Sequence, residues 1–287
     1  MGLLIAGRLV PVAGLDIIPP ASHGGPAWAQ LNPGDYAMRQ TPWIRQVIVH
    51  TTGGLWPQAV LPGRAPGGHA RQIAEMWSGA DRGGGERVHS AAQLIVDFDG
   101  TVVCLCDLAA IAAYHAEASN HWSIGIEMCT WPRGEISEAT LKATARLVDA
   151  LCWPTFPIPR QMPRGPYRNE PIARMEVVRE VVSLGSRVGS TRRQIGGPNL
   201  CGVFGHRDNT SERGAGDPGD AIFKELDLLG FEWLDFHTFE DLLVGKERQA
   251  LLNSKGARLT VDGVVGPKSL LAAENQGYRC WSDVPRA

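Results

Sequence analysis

Short apolar runs that stop at polar residues predict buried strands in the central part of the chain. Residues 46–49 read Gln-Val-Ile-Val and end at His50. Residues 200–204 repeat the pattern and end at Gly205-His206. A run of this kind is typical of a strand that is buried on both faces and delivers a polar residue to a loop at the sheet edge. Both histidines are therefore expected at strand ends.

Two further strand patterns lie between these runs. Residues 93–96 and 101–105 flank Asp97-Phe98-Asp99-Gly100, and Asp-Gly supplies the positive φ that a tight hairpin turn needs. The stretch Ser123–Met128 alternates, so that its isoleucines and Met128 share one face while Glu127 lies on the other. We expect Glu127 to face away from the core.

Helical periodicity separates these strands. The apolar residues of 70–77 and of 137–151 recur at helical spacing, with Ser137 as the candidate N-cap of the second stretch. Residues 172–182 show the same periodicity, and Pro218 is predicted to begin a helix that continues to Leu229. Alternating strands and helices predict an α/β fold with a central mixed β-sheet flanked by helices.

The pattern divides the chain into three parts. Residues 1–42 are rich in Pro and Gly without a sustained period, and are expected to form an irregular lead-in packed on the domain that follows. Residues 43–243 are predicted to form that domain. Residues 244–287 are predicted to form a small helical module, because residues 245–287 hold seven Lys or Arg against four Asp or Glu.

Composition narrows the possible function classes. The 287 residues include 44% hydrophobic and 20% charged residues, with a formal net charge of -2. A near-neutral chain of this kind argues against nucleic acid as the main partner. No stretch reaches the ~18 apolar residues of a membrane span, and the N-terminus lacks the basic region of a signal peptide. The six cysteines show no CxxC spacing and are predicted to be buried free thiols. A monomer made in the cytoplasm is expected.

His50, His206 and Asp217 are the candidate metal ligands. Two imidazoles and one carboxylate suit a catalytic zinc ion, which keeps a fourth position for water. Spacing alone is weak support, since a His-x10-Asp pair also arises by chance, and strand-end histidines suit other divalent metals as well. Asp217 also suits an N-cap role at the following helix, which is compatible with metal binding.

Four segments in order resemble the signature segments of zinc-dependent N-acetylmuramoyl-L-alanine amidases, which share their fold with peptidoglycan recognition proteins. The resemblance implies that His50, His206 and Asp217 bind Zn²⁺ and that Glu127 is the catalytic carboxylate. It also implies that His115 and Thr51 contact substrate, although a packed core histidine and a solvated strand glutamate are the alternative interpretations of His115 and Glu127. The segments are Val47–Thr52, Ala113–Ala116, Ser123–Met128, and Gly205–Asp208 followed by Asp217–Gly219.

The chain departs from the family pattern at two places. Many members carry a Lys two residues before the metal-binding Asp, where this chain has Ala215. Arg213 is the nearest cation and a candidate catalytic replacement, with zinc alone as the alternative. The His that many members carry before the Asp-Gly turn is also absent, and Ala92 and Gln93 lie near that place.

The C-terminal stretch resembles the peptidoglycan-binding repeat of small three-helix modules. Its residues 262–268 read Asp-Gly-Val-Val-Gly-Pro-Lys, in which Pro267 is predicted to begin a helix. The two resemblances together imply a phage or prophage endolysin that acts on peptidoglycan at the bacterial cell wall after release. The alternatives are a non-catalytic muropeptide recognition protein and a cytoplasmic amidase that recycles anhydro-muropeptides.

Overall fold

A computed structural model of the chain describes residues 1–32, 34–40, 44–52, 67–77, 91–116, 119–131, 134–164, 202–206, 217–235, 238–261, 267–278 and 283–285. In chain order the strands are β1 Leu3–Ile5, β2 Arg8–Val10, β3 Ile17–Ile18, β4 Tyr36–Met38, β5 Gln46–Thr51, β6 Leu94–Val96, β7 Val102–Cys104, β8 Ile111–Ala113, β9 Ser123–Met128, β10 Gln161–Arg164, β11 Gly202–Gly205 and β12 Glu232–Asp235. The helices are α1 Gly68–Trp77, α2 Glu138–Leu151, α3 Ala221–Leu228, α4 Thr238–Ser254 and α5 Pro267–Asn275.

A six-stranded mixed sheet forms the centre of the fold, as the alternating pattern predicts. Its strand order is β11-β5-β9-β6-β7-β3. The first four strands run parallel, and β7 pairs antiparallel with β6 across the predicted turn. Gly100 adopts φ 85° in that turn, which a residue with a side chain rarely adopts. Because β11, β5 and β9 are neighbours and run parallel, their carboxyl ends lie at the same edge of the sheet.

Helices cover both faces of this sheet. On one face, Leu147 and Val148 of α2 and Phe223 of α3 share a buried cluster with Ile124 and the other apolar residues of β9. On the other face, α1 packs its buried residues against Ile95 and Val103. Ser137 caps α2 as predicted, since its side chain accepts a hydrogen bond from the backbone N–H of Thr140. Two apolar layers thus fix the sheet between helices.

The N-terminal segment contains more regular structure than the sequence pattern predicts. β1 and β2 form an antiparallel hairpin, β3 joins the edge of the main sheet beside β7, and β4 pairs with β8. Leu3, Leu4 and Ile17 belong to the main core. These strands have two or three residues each, which is too short for a period of two to be recognised. The segment thus packs on the main core, with short strands between stretches of irregular chain.

The start of α3 also differs from the prediction. The helix begins at Ala221 and not at Pro218, and Asp220 precedes it without a side-chain capping bond. Residues 217–219 form a turn that connects the metal-ligand candidate Asp217 to the helix. The predicted helix over residues 172–182 lies outside the described residues.

The C-terminal part forms a small cluster of its own. Leu252, Ala273 and Val284 are buried together, and Trp122 packs against them from the loop before β9. α5 begins at Pro267 as predicted. α4 runs without interruption across residues 243 and 244, where the sequence predicts a domain boundary. A helix therefore connects the two parts.

Two predictions from composition can be compared with the described residues. Cys104, Cys106, Cys129 and Cys152 are free and buried, as predicted. None of the helices that the structure describes combines the length and the apolar character needed to cross a bilayer.

Candidate metal centre

The carboxyl ends of β11, β5 and β9 bring the candidate residues to one edge of the sheet. Gly205 pairs with Val49. The next residue of each segment is a histidine, so His206 and His50 lie at the same level of the sheet. His50 pairs in turn with Glu127 of β9. Crevices at the carboxyl ends of parallel strands are the usual ligand sites of such sheets. The strand register alone thus places two histidines and a glutamate side by side.

The three predicted metal ligands lie close together. The Nδ1 atoms of His50 and His206 are 2.9 Å apart, and His206 Nδ1 lies 3.1 Å from Asp217 Oδ2. One nitrogen or oxygen of each residue falls within 4.8 Å of the others. Both imidazoles are buried, and Asp217 is half-buried. The donor atoms converge although 156 positions of sequence separate the two histidines.

Asp217 is held in place by the strand that carries His50. The backbone N–H of Thr51 donates a hydrogen bond to Asp217 Oδ1 at 3.0 Å. Burial opposes ionisation of this carboxyl, but the His206 hydrogen bond, the nearby imidazole of His50 and the Thr51 N–H outweigh it and lower the pKa of Asp217. The side chain is therefore a carboxylate at neutral pH.

The chemistry of these donors fits zinc. Imidazole nitrogen together with carboxylate oxygen is a common zinc ligand set, whereas Ca²⁺ and Mg²⁺ take oxygen ligands. Three protein donors leave one tetrahedral position for water or substrate, which is the arrangement of catalytic zinc sites. His50, His206 and Asp217 would hold the ion through the converging Nδ1, Nδ1 and Oδ2 atoms.

Glu127 lies on the metal-site face of β9. In the parallel β5–β9 pair, Val47 and Val49 match Ile124 and Ile126 on the core face, which leaves His50 and Glu127 on the opposite one. Glu127 is only half-buried, whereas the neighbouring Ile126 and Met128 are fully buried. The predicted alternation along this strand is confirmed, and it puts a carboxylate next to a candidate metal ligand.

His115 lies directly behind His50. Its Nδ1 is 2.9 Å from His50 Nε2, and its Nε2 is 3.0 Å from Ser123 Oγ. Only 7% of its surface is exposed. Both ring nitrogens are thus engaged within the protein, and the predicted contact of His115 with substrate stays a prediction. Arg213 lies outside the described residues.

Three polar residues to which the sequence analysis assigned no role support this arrangement. Asn120 Oδ1 accepts the backbone N–H groups of His115 and Ala116 at 3.0 and 2.6 Å. Gln93 Oε1 accepts the N–H of Gly125 at 2.7 Å. Ser123 contacts the His115 ring. Ser123 and Gly125 alternate with the apolar residues of β9, and that alternation was the available signal for their position on the functional face.

A comparison with known protein families finds one match. The sequence profile of the N-acetylmuramoyl-L-alanine amidase family matches residues 39–220, which is more than half of the chain. A comparison with curated proteins finds no match.

Several solved structures resemble the chain at low sequence identity. A selenomethionine derivative of AmpD is 17% identical to this chain. The alignment covers 79% of this chain and 98% of the AmpD chain, with a TM-score of 0.43. PGRP-Hd from Alvinella pompejana is 17% identical, covers 49% of this chain and 79% of its own, with a TM-score of 0.35. A mutant endolysin from Bacillus subtilis is 20% identical to this chain. The alignment covers 48% of this chain and 74% of the endolysin chain, with a TM-score of 0.30.

Proposed function

This chain belongs to the N-acetylmuramoyl-L-alanine amidase family, and we propose from that premise that it is a zinc-dependent peptidoglycan hydrolase. The bond cleaved is the amide between the lactyl group of N-acetylmuramic acid and the L-alanine of the stem peptide. The observation that carries the zinc dependence is the convergence of His50, His206 and Asp217 on one point at the sheet edge.

The chemistry expected of the metal is simple. A zinc ion bound by these three residues would lower the pKa of its bound water to about 7 and polarise the amide carbonyl. Thr51 contributes through its backbone N–H, which orients Asp217 by a hydrogen bond at 3.0 Å. The three side chains would thereby supply the ligand set and leave a fourth coordination position for water or substrate.

Glu127 acts as the general base and then as the general acid. Its position beside His50 in the strand register supports this role. The carboxylate takes a proton from the attacking water as the C–O bond forms. It then passes that proton to the nitrogen of L-alanine as the C–N bond breaks, so that a free amine and a carboxylate on the lactyl group result. Arg213 remains the proposed cation for the developing negative charge.

We also propose that the protein acts at the bacterial cell wall as a phage or prophage endolysin. The C-terminal part offers support, because it forms a groove of about 410 Å³ lined by Lys255, Arg258 and Lys268. Peptidoglycan stem peptides carry carboxylates, which such a basic groove would attract. Changing Arg258 and Lys268 to Glu in the full chain should weaken binding to intact sacculi more than cleavage of soluble muropeptides. If binding to sacculi and cleavage of soluble muropeptides fall equally, the groove does not contribute specifically to wall binding.

The test of the activity is incubation of the purified chain with sacculi, with a chelator and after zinc is restored, followed by mass spectrometry of the products. New L-alanine amino termini with intact glycan chains, lost on chelation and recovered with zinc, are expected. Binding without new termini would indicate a recognition protein. Cleavage restricted to small anhydro-muropeptides would indicate a recycling enzyme, and new reducing sugar ends would mean a different bond.

A further inference from the structure

A chain of side-chain hydrogen bonds leads from the candidate metal ligand His50 into the protein. His50 Nε2 contacts His115 Nδ1 at 2.9 Å, and His115 Nε2 contacts Ser123 Oγ at 3.0 Å. Ser123 Oγ in turn contacts the carbonyl oxygen of Ser119 at 2.7 Å. All four residues are buried. The proton positions along this chain follow from its inner end.

The carbonyl at the inner end fixes the direction of every bond. The Ser119 carbonyl can only accept, so the single hydroxyl proton of Ser123 points to it. Ser123 Oγ must then accept from His115, which places a proton on His115 Nε2. In an imidazole whose single proton is on Nε2, Nδ1 is an acceptor.

A neutral His115 with its proton on Nε2 presents a bare Nδ1 to His50. The proton in the 2.9 Å contact between the two rings therefore belongs to His50 Nε2. His50 consequently keeps a lone pair on Nδ1, the atom that faces His206 and the candidate metal position. Metal-binding histidines generally donate their second N–H to a protein acceptor, and that bond fixes the tautomer and the ring orientation.

Two other features hold the His115 ring where this bond requires it. A Cβ on Gly125 would lie 2.6 Å from His115 Cγ, so the ring rests directly on the glycine backbone. Arg39 donates to the carbonyl oxygens of His121 and Ser123 at 2.9 and 2.8 Å, which fixes the loop that ends at Ser123. The ring is therefore confined from the strand side and its hydroxyl partner is anchored.

We propose that His115 and Ser123 are positioning residues that fix His50 in the tautomer offering Nδ1 to the metal. This inference rests on the proposed function, because it assumes that His50 binds zinc. It gives His115 a role behind the metal ligand in place of the predicted contact with substrate. The residue acts through His50 and does not touch the reacting atoms.

Zinc affinity of the full chain, measured by competition with a chromophoric chelator, tests the inference without relying on activity. His115→Leu removes the acceptor and should lower zinc affinity by about 10- to 100-fold. His115→Asn can place its amide oxygen where Nδ1 lies and should retain most of the affinity. Ser123→Ala should have an intermediate effect, since His115 keeps Nδ1 but loses the partner that fixes its tautomer.

Thr140→Val is the matched control. Thr140 is fully buried, and its hydroxyl donates to the Asp97 carbonyl at 2.8 Å, far in sequence from the metal ligands. The variant loses a buried hydroxyl-to-carbonyl bond of the same kind as Ser123→Ala and should bind zinc like the unmodified chain. A loss equal to that of Ser123→Ala would mean that general destabilisation explains both variants and would overturn the inference.

The imidazole ¹⁵N resonances of the zinc-loaded, unmodified chain give a second readout, which does not depend on the folding of any variant. We expect a protonated Nε2 on His50 and metal binding through its Nδ1; the opposite assignment would overturn the inference. If the unmodified chain binds no zinc, the proposed metal dependence fails together with the inference. If it binds zinc and folded His115→Leu binds it equally well, the inference alone fails.

Discussion

The two faces of β9 have different surroundings although their residues alternate along a single strand. On one face, Ile124, Ile126 and Met128 are fully buried in the main apolar cluster. On the other, Ser123 and Gly125 contact the His115 ring or lie against it, and Glu127 pairs with His50 in the register. One strand thus separates the packing that stabilises the fold from the groups proposed to carry the chemistry. Substitutions on the two faces should therefore have separable effects.

The largest expected effect is that of Glu127→Gln on the functional face. Removing a general acid–base group typically lowers turnover by about 10² to 10⁴-fold. Zinc content and the free energy of unfolding should stay unchanged, because the amide has nearly the same shape as the carboxylate. Turnover is measured as release of L-alanine termini, and zinc by metal analysis of the same sample. Undiminished turnover would remove Glu127 from the mechanism.

The core face should show the converse behaviour. Ile124→Ala leaves a cavity beside Val47 and should lower the free energy of unfolding by about 2–5 kcal/mol. Denaturant titration measures this change. Below the unfolding transition, zinc affinity should match that of the unmodified chain. A large loss of zinc affinity in the folded variant would show that the two faces are not separable.

Gly125→Ala sharpens the comparison, because it adds only one methyl group on the functional face. The new Cβ would lie 2.6 Å from His115 Cγ and 2.7 Å from Nδ1, so the ring must shift, which disturbs its contact with His50. We expect zinc affinity to fall by about 10-fold. In a His115→Ala background the same change should have little further effect, since the clash is gone. Fully additive effects would show that Gly125 acts by another route.

Alkaline pH tests the core side through two buried thiols, Cys104 and Cys152. Burial raises the pKa of Cys104 to about 11 and that of Cys152 to about 12. Thiols of the unfolded chain ionise near pH 8.5, so these raised values stabilise the fold at lower pH, and that contribution is lost as pH rises from about 9 towards 11 or 12.

The loss is limited to about 1.4 kcal/mol per pH unit for each thiol. Free energies of unfolding measured between pH 8 and 11 should therefore fall less steeply in the Cys104→Ala, Cys152→Ala double variant. Equal slopes in the two proteins would show that other groups govern the alkaline loss of stability.

The residues at strand ends could be predicted because a local pattern fixes them. An apolar run that stops at His50 or at His206 determines where each histidine lies, and the alternation through Glu127 determines its face. The parallel register then makes these residues neighbours. Asp217 was identified mainly by family resemblance, and its hydrogen bond from Thr51 has no sequence signature.

The features of the fold and of the site that could not be predicted from the sequence depend on contacts between distant segments. The pairing of β3 with β7 involves two residues on each strand, and no periodicity can mark so short an element. The bonds that link Ser123 to His115 and His115 to His50 depend on the loop before β9 folding back on β8. The sequence around His115 is equally compatible with a histidine that contacts substrate and with one that packs in the core. Only its hydrogen-bond partners in the structure distinguish the possible roles.

The most direct test is a crystal structure of the zinc-loaded chain with anomalous diffraction data collected at the zinc absorption edge. We expect one strong anomalous peak at the carboxyl ends of β5 and β11, bound by Nδ1 of His50, Nδ1 of His206 and a carboxylate oxygen of Asp217. Zinc–nitrogen distances should be about 2.0–2.1 Å. Absence of a peak there, or zinc bound at other residues, would contradict the proposed metal centre.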